Sequence, residues 1–240
     1  MKIRTLMLVV AALFALPAFA TGNADRPLDP RILGSEGFLN GHPDMKFRQS
    51  GLRAYEAGDY PEAFKLFKRA ARYADKPSQG MVAEMLWRGE GVEKDRPAAY
   101  AWMDLAAERH FRVLLVQREV YWADLSEDER KQAIAVGEGL YAEYGDAVAK
   151  RRLELAMRRA RNQSTGSRTG AVGNLQISFD TPGGPVTIDG STYYHPQFWE
   201  PERYWAWQEA QWKDPPTGVV EIGPLRSGGE AAPEKSKAAE

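Results

Sequence analysis

The residue types that could catalyse a reaction or hold a metal are few in this 240-residue chain, and their spacing is uninformative. The chain has no cysteine, which excludes thiol catalysis, disulfides, cysteine-ligated zinc and iron–sulfur clusters. Its three histidines, His42, His110 and His195, lie far apart and share no metal-ligand spacing. Serine-hydrolase, zinc-protease and phosphate-loop motifs do not occur in the sequence. We therefore expect a non-catalytic protein with no metal and no cofactor.

One histidine leaves an enzymatic alternative open. His195 follows Tyr194 and precedes Glu200, and such a group could supply acid–base chemistry to a hydrolase. A histidine followed by proline in an aromatic segment is more often a packing residue. Pairs of acids, such as Glu200 with Glu202, also arise by chance when surface carboxylates are abundant.

Tryptophan is concentrated near the C-terminus and could form a binding surface. Four of the seven tryptophans lie close together: Trp199, Trp205, Trp207 and Trp212. From Pro201 onwards the pattern predicts a short helix on which Trp205 and Trp212 share a face. One interpretation is a helix wedged between neighbouring elements, because large aromatic side chains mostly serve as core. The other is an exposed platform that stacks on sugar rings, such as those of peptidoglycan.

Composition and charge narrow the possible partners. The chain is 43% hydrophobic and 27% charged, which is typical of a globular protein. Its 32 basic and 33 acidic residues nearly cancel, so no overall field favours nucleic acid. We expect a protein or peptide partner, with cell-wall glycan as the alternative and no nucleic acid.

Residues 1–20 resemble a secretory signal peptide. Lys2 and Arg4 precede a short apolar run, and Pro17 is followed by a small-x-small site ending at Ala20. The run is too short for a membrane span, which needs about 20 residues. We expect cleavage after Ala20 and a product in the periplasm or outside the cell, with an N-terminal anchor as the alternative and no later membrane span.

The remaining chain divides into four zones by composition. Residues 21–46 predict an extended polar lead-in, since they carry several prolines and glycines. Residues 47–162 have helical composition. Residues 166–225 predict a small α+β element, and residues 226–240 a disordered tail.

The helical zone contains an internal repeat with an offset of 36 residues. Asp59 aligns with Asp95, and each can cap a helix by accepting backbone N–H groups. Proline then follows in the first turn, where it loses no helical hydrogen bond. Alanine and aromatic positions recur at three- and four-residue spacing, which indicates one packed helix face. The unit is a helical hairpin of the kind that builds a short α-solenoid.

The second unit resembles the Sel-1-like repeat, whose pattern is G-x-G-V-x-K-D followed by A-x-x-W and A-A. The matching residues are Gly89, Gly91, Val92, Lys94, Asp95, Ala99, Trp102, Ala106 and Ala107. The first unit looks like the related tetratricopeptide repeat. Ala83 and His110 depart from the pattern, because the family usually has glycine there. The resemblance implies a mainly α fold and a scaffold or adaptor for other proteins.

Two further helical segments are expected after the repeats. Residues 111–144 keep little of the pattern and predict a degenerate or capping repeat. Within them Ser126 and Glu129 form a capping box that starts a helix. The next predicted helix, residues 147–161, has a basic face that either contacts solvent or binds an anionic partner.

Alternating residues predict a β-hairpin in the C-terminal zone. Residues 175–179 and 186–188 alternate as half-buried strands around a turn rich in proline and glycine. Residues 218–222 could add a third strand.

The resemblance also implies where a partner would bind. In related hairpins the first helix of each unit lines the inner groove. Carried over by position, this nominates Arg48, Leu52, Tyr55, Glu56, Glu84, Trp87 and Arg88. Tyr55 and Trp87 could equally pack against the neighbouring helix. Because only two units are clear, the groove would hold a peptide or a single helix.

Overall fold

The computed structural model of the protein describes residues 30–165, 175–181 and 184–213. The predicted signal peptide, the possible strand at residues 218–222 and the tail at residues 226–240 lie outside these ranges. Within them, no helix combines the length and the apolar character that a membrane crossing requires.

The N-terminal segment is helical where an extended lead-in was predicted. Helices α1 (Pro30–Gly34) and α2 (Glu36–Gly41) occupy it, and Ser35 caps α2 by accepting the Phe38 N–H. The prediction for residues 21–46 is therefore wrong from residue 30 onwards. Proline suggested an extended chain, but here it starts helices, where its missing N–H costs no hydrogen bond.

Two helical hairpins follow and confirm the predicted repeats. Their helices are α3 (Pro43–Glu56), α4 (Tyr60–Ala71), α5 (Lys76–Arg88) and α6 (Arg96–Ala106). The Asp59 carboxylate accepts the Glu62 N–H at 3.2 Å, and Asp95 accepts the Ala98 N–H at 2.9 Å. Both predicted N-caps are thus present.

Small residues set the close spacing of these helices. The alanines of the repeat are all buried, namely Ala63, Ala70, Ala71, Ala99, Ala106 and Ala107. A Cβ atom on Gly51 would lie 2.8 Å from the ring of Phe67. Gly91 has a φ of +70°, and a Cβ there would meet the Tyr60 backbone at 2.3 Å. Glycine at residue 91 is therefore required both by the backbone conformation and by the contact between the hairpins.

The third unit is a modified hairpin. Helix α7 (Arg112–Asp124) follows a 3-10 turn (Ala107–Arg109), and α8 (Glu127–Tyr144) starts at the predicted capping box of Ser126 and Glu129. His110 adopts a φ of +59°, which explains why related repeats favour glycine at this position. Helix α8 packs mainly on α6, where the Trp102 and Tyr144 rings lie 4.6 Å apart.

Helix α9 (Asp146–Thr165) runs back along one edge of the hairpins instead of stacking as a fourth unit. It contacts α8 at its start and reaches α2 and α3 further along. Its apolar face buries Ala149, Leu153 and Met157 against Ala74. The Arg152 guanidinium donates to the Arg72 carbonyl at 2.6 Å. The helix therefore braces the connections between the hairpins.

A buried ionic cluster fixes the start of α9. The fully buried Lys76 ammonium lies 2.6 Å from Glu108 and 3.1 Å from Asp146, and it also donates to the Leu105 carbonyl at 3.1 Å. Arg109 donates twice to the Asp146 carboxylate, at 2.6 and 2.9 Å. Burial opposes ionisation of Asp146, but the Arg109 hydrogen bonds and charge outweigh it and lower the Asp146 pKa to about 2. Asp146 thus joins three elements rather than only capping its own helix.

The C-terminal zone contains the predicted hairpin and the predicted aromatic helix. Strands β1 (Gln176–Thr181) and β2 (Gly184–Asp189) pair antiparallel, with Ile177 opposite Ile188. Three helices follow: α10 (Gly190–Tyr193), α11 (Pro196–Trp199) and α12 (Pro201–Lys213). The fold is thus mainly α, a short solenoid followed by a small β-hairpin and aromatic helices.

The ionic cluster generates a stability prediction. Replacing Asp146 with alanine leaves the buried Lys76 with Glu108 as its acidic partner and removes the carboxylate to which the mostly buried Arg109 donates. We expect a loss of about 3 kcal/mol in the free energy of unfolding, because removing one partner strands buried charge. Urea unfolding followed by far-UV circular dichroism measures this loss.

The matched control is Asp128→Ala, which removes an exposed aspartate that pairs with Lys131. This change should stay within about 0.5 kcal/mol of wild type. Equal effects of the two substitutions would contradict the role given to the cluster.

Candidate functional site

The candidate groove is formed by the first helices of the two hairpins, α3 and α5. The sequence-predicted site residues lie on these helices as expected: Arg48, Leu52, Tyr55 and Glu56 on α3, and Glu84, Trp87 and Arg88 on α5. They fall into two groups, one at the C-terminal ends of both helices and one around Arg48.

Hydrogen bonds connect both helices at the C-terminal end of the groove. The Tyr55 hydroxyl donates to the Glu90 carboxylate at 2.7 Å. Arg88 pairs with Glu84 at 2.5 Å and with Glu90 at 3.5 Å. Glu84 also accepts a hydrogen bond from the Tyr121 hydroxyl on α7. Burial and the nearby carboxylates raise the pKa of both tyrosines, which keeps their hydroxyls as donors.

Glu84 itself does not line the groove. Its side chain is buried, and both of its partners belong to the protein. Because Tyr121 contacts it across 37 residues of sequence, this nominated residue is enclosed by the protein and is not exposed in the groove. Its carboxylate instead positions the Arg88 guanidinium.

Trp87 serves as packing. Its ring stacks on Tyr121 with centroids 4.0 Å apart and planes 7° apart, and the Arg96 guanidinium lies 4.8 Å from its centroid. The stacking attaches α7 to α5, and the Arg96 contact attaches the start of α6 to the same ring. Of the two interpretations left open for Trp87, the packing interpretation agrees with the structure.

The aromatic helix α12 covers the other end of the groove. Arg48 pairs with Asp75 at 2.5 Å and lies 6.0 Å from the Trp212 ring centroid, so its side chain is only 16% exposed. Tyr204 donates its hydroxyl proton to Asp44, and Gln208 donates to Tyr204 at 2.7 Å. The Arg48 end is thus occupied by the chain itself.

The tryptophans do not form an exposed platform. Trp199 and Trp205 are only 4% and 8% exposed. The Trp199 indole donates to the Tyr193 carbonyl at 2.9 Å, and the Trp205 indole donates to Glu154 at 3.2 Å. Burial of Trp199 and Trp205 removes the ring faces that a stacked sugar would need, so the packing argues against a glycan platform at these two rings.

The other two tryptophans also contact protein. Trp207 lies 4.9 Å from Phe198 and 5.6 Å from Tyr204, between ring centroids. Trp212 packs against the core of the hairpins. The interpretation of this segment as a helix wedged between neighbouring elements agrees with these contacts.

His195 acts as a helix cap. It is half-buried, and its Nδ1 accepts the Gln197 N–H at 3.4 Å, at the start of α11. Across the described ranges, no group of three or more histidines and acids is arranged to hold a metal ion.

An unusual carboxyl lies beneath α12. Asp44 is buried between the Tyr204 hydroxyl and the Arg48–Asp75 pair. Burial, and next the charge of Asp75, raises the Asp44 pKa to about 7, although Tyr204 and Arg48 act in the opposite direction. His42, two residues earlier, is fully buried, and this burial lowers its pKa to about 4.

Sequence reasoning missed several residues that shape the groove. Glu90 could have been found, because it lies inside the Gly89–Gly91 loop of the repeat motif. Tyr121 lies in the degenerate third unit, and Asp44 precedes the first repeat, so neither carried a pattern signal. Tyr204 was seen only as one of many aromatic residues.

Comparison with known proteins agrees with the repeat assignment. Residues 48–72 and 77–111 match the family model of the Sel1 repeat, and these ranges cover most of both hairpins. Such repeats are generally protein-interaction modules. No curated protein and no solved structure shows a significant match to the chain.

The Asp44 environment predicts a pH-dependent stability. Between about pH 4 and 7 the folded state holds a proton on Asp44 that the unfolded state releases. The stability that wild type has over Asp44→Asn should therefore shrink as pH rises, by up to about 1 kcal/mol per pH unit. Urea unfolding of both proteins from pH 4.5 to 8 measures this difference.

The unfolding free energy of Asp44→Asn must be subtracted from that of wild type at each pH, because His42 changes the stability of both proteins in the opposite direction. Its lowered pKa makes the folded state lose stability as pH falls through the same range. The control Asp128→Asn, at an exposed site, should differ from wild type by a constant amount. A constant difference for Asp44→Asn as well would show that Asp44 titrates normally.

Proposed function

We propose that the chain is a non-catalytic scaffold that binds a peptide segment or a single helix of another protein in the periplasm or outside the cell. The observation that carries this proposal is the match of both hairpins to the Sel1 repeat. The partner contacts the open end of the groove, which we define as the accessible parts of Leu52, Tyr55, Glu56 and Arg88.

The chemistry of this open end fits a short peptide. Leu52 and Tyr55 offer apolar area beside the packed core. Arg88 keeps 23% of its side chain exposed and is held in place by Glu84 and Glu90. An arginine whose geometry is fixed in advance loses little rotamer entropy when it binds a carboxylate or a carbonyl. Since α12 fills the Arg48 end, the remaining surface suits a few residues of partner rather than an extended chain.

The proposed location rests on the pattern of residues 1–20. A chain without cysteine also suits an oxidising compartment, because it cannot form incorrect disulfides there.

If the groove is the binding site, substitutions at its open end should abolish binding without unfolding the protein. The double variant Tyr55→Ala/Glu56→Lys changes two accessible positions on α3 and leaves the stacked Trp87 intact. In a cross-linked pull-down of tagged protein from its own cell envelope, wild type should enrich one protein that the variant loses. With the purified partner, calorimetry should show at least a tenfold loss of affinity, equivalent to about 1.4 kcal/mol.

Tyr141→Ala is the matched control, since it removes another partly exposed tyrosine, on α8 rather than in the groove. The control should bind like wild type, and circular dichroism should show that all three proteins fold. Equal capture of the partner by wild type and by the groove variant would show that the groove is not the binding site.

A further inference from the structure

The outward face of helix α9 carries arginines that the fold does not neutralise. Arg151, Arg158 and Arg159 are exposed, and among the described residues none of the three has a hydrogen-bond or ion-pair partner. By contrast, the Arg72 guanidinium lies 2.6 Å from the Glu143 carboxylate. Arginines without a partner keep all of their donors for an anion from outside the fold.

The two acids of α9 do not reach these arginines. Glu154 lies three residues after Arg151 and four before Arg158, a spacing at which helical side chains can pair. Its carboxylate instead accepts a hydrogen bond from the Trp205 indole at 3.2 Å. Asp146 is held by the buried ionic cluster at the start of the helix. The packing of α12 against Glu154 therefore leaves the arginines without an acid of their own helix.

The arginines surround an exposed leucine in a regular pattern. Successive residues of an α-helix point about 100° apart. Arg151, Leu155 and Asn162 therefore lie along the middle of the outward face, and Leu155 is 41% exposed. Arg158 and Arg159 lie on the two edges of the face, one turn after Leu155. Residues 155, 158, 159 and 162 have the spacing that forms a hole for a side chain of a facing helix.

We propose that this face binds an acidic helix of another protein, with one carboxylate seated between Arg158 and Arg159 and a second carboxylate on Arg151. The two positions are seven to eight residues apart, which is about 11 Å along the axis of α9. A facing helix matches them with two acids seven residues apart and an apolar residue midway, which packs on Leu155. Arginine suits this role because its planar guanidinium binds a carboxylate through two parallel hydrogen bonds.

The charge of the whole chain favours a protein segment over an anionic bilayer. The chain has 32 basic and 33 acidic residues, so it has no long-range attraction to an extended anionic surface. Membrane binding by a helix scales with the apolar area that it buries. The outward face of α9 offers Leu155 and Val148 for this purpose, each 41% exposed, which is a small area. Because α9 lies outside the groove, the proposal does not rest on the groove as a binding site.

A designed peptide tests the predicted pattern of the partner. The probe is a labelled, alanine-rich helical peptide of about 16 residues, with two glutamates seven residues apart and a leucine midway. Fluorescence anisotropy with the full chain should give a dissociation constant on the order of 100 µM, since the interface is small and exposed. The same peptide with glutamine in place of both glutamates should bind at least about tenfold more weakly.

Charge reversal tests whether the two edge arginines hold the carboxylate. Arg158→Glu/Arg159→Glu should bind the acidic peptide at least about tenfold more weakly than wild type. The matched control is Arg112→Glu/Lys131→Glu, which makes the same change in net charge at exposed cations of α7 and α8. The control should bind like wild type. Equal losses in the two double variants would show that net charge alone decides binding, and would overturn the proposal.

Vesicles rich in phosphatidylglycerol distinguish a lipid surface from a protein partner. Sedimentation with these vesicles that is lost in Arg158→Glu/Arg159→Glu, without binding of the peptide, would assign the face to a membrane and overturn the proposal. A full chain that binds neither probe overturns it as well, and this includes the case in which residues outside the described ranges cover α9. Circular dichroism of each variant should match wild type, so that a loss of binding is not a loss of fold.

Discussion

The buried ammonium group of Lys76 is the interaction on which the arrangement of the helices depends. It lies at the start of α5 and joins Glu108 in the turn after α6 to Asp146 at the start of α9. A buried charge is tolerated only when its partners satisfy it, and here two carboxylates, a carbonyl and the Gln79 amide do so. The cluster anchors the first turn of α9 beside the second hairpin, and α9 then crosses to the first hairpin. The array therefore ends after three units, and α9 packs back against the first hairpin.

The sequence was sufficient for features that depend on neighbouring residues. The N-caps Asp59 and Asp95 and the capping box at Ser126 are local hydrogen bonds between residues three apart, and all were predicted correctly. The β-hairpin and the helix after Pro201 were likewise recognisable from alternation and composition. These patterns fix the order and type of elements, but not how the elements meet.

Apart from the lead-in, where prolines start helices from residue 30 onwards, the errors concern contacts between residues far apart in the chain. Trp199 and Trp205 are buried because the C-terminal helices pack on α2, α3 and α9, which composition alone does not reveal. The open part of the groove is shorter than the seven nominated residues suggested, since α12 covers Arg48 and Tyr121 encloses Glu84. Sequence reasoning identified the helices that bear the groove, and tertiary packing decided which side chains remain accessible.

The contact between Asp44 and Tyr204 joins positions 160 residues apart, and this separation has a consequence for biogenesis. The second hairpin folds from contacts close in sequence, whereas the first completes its packing only when α12 arrives. During synthesis, the chain therefore passes through a stage in which Asp44, His42 and Phe38 are uncovered while later helices are still emerging. Folding of this chain therefore involves shielding of that segment, by a chaperone or by rapid elongation.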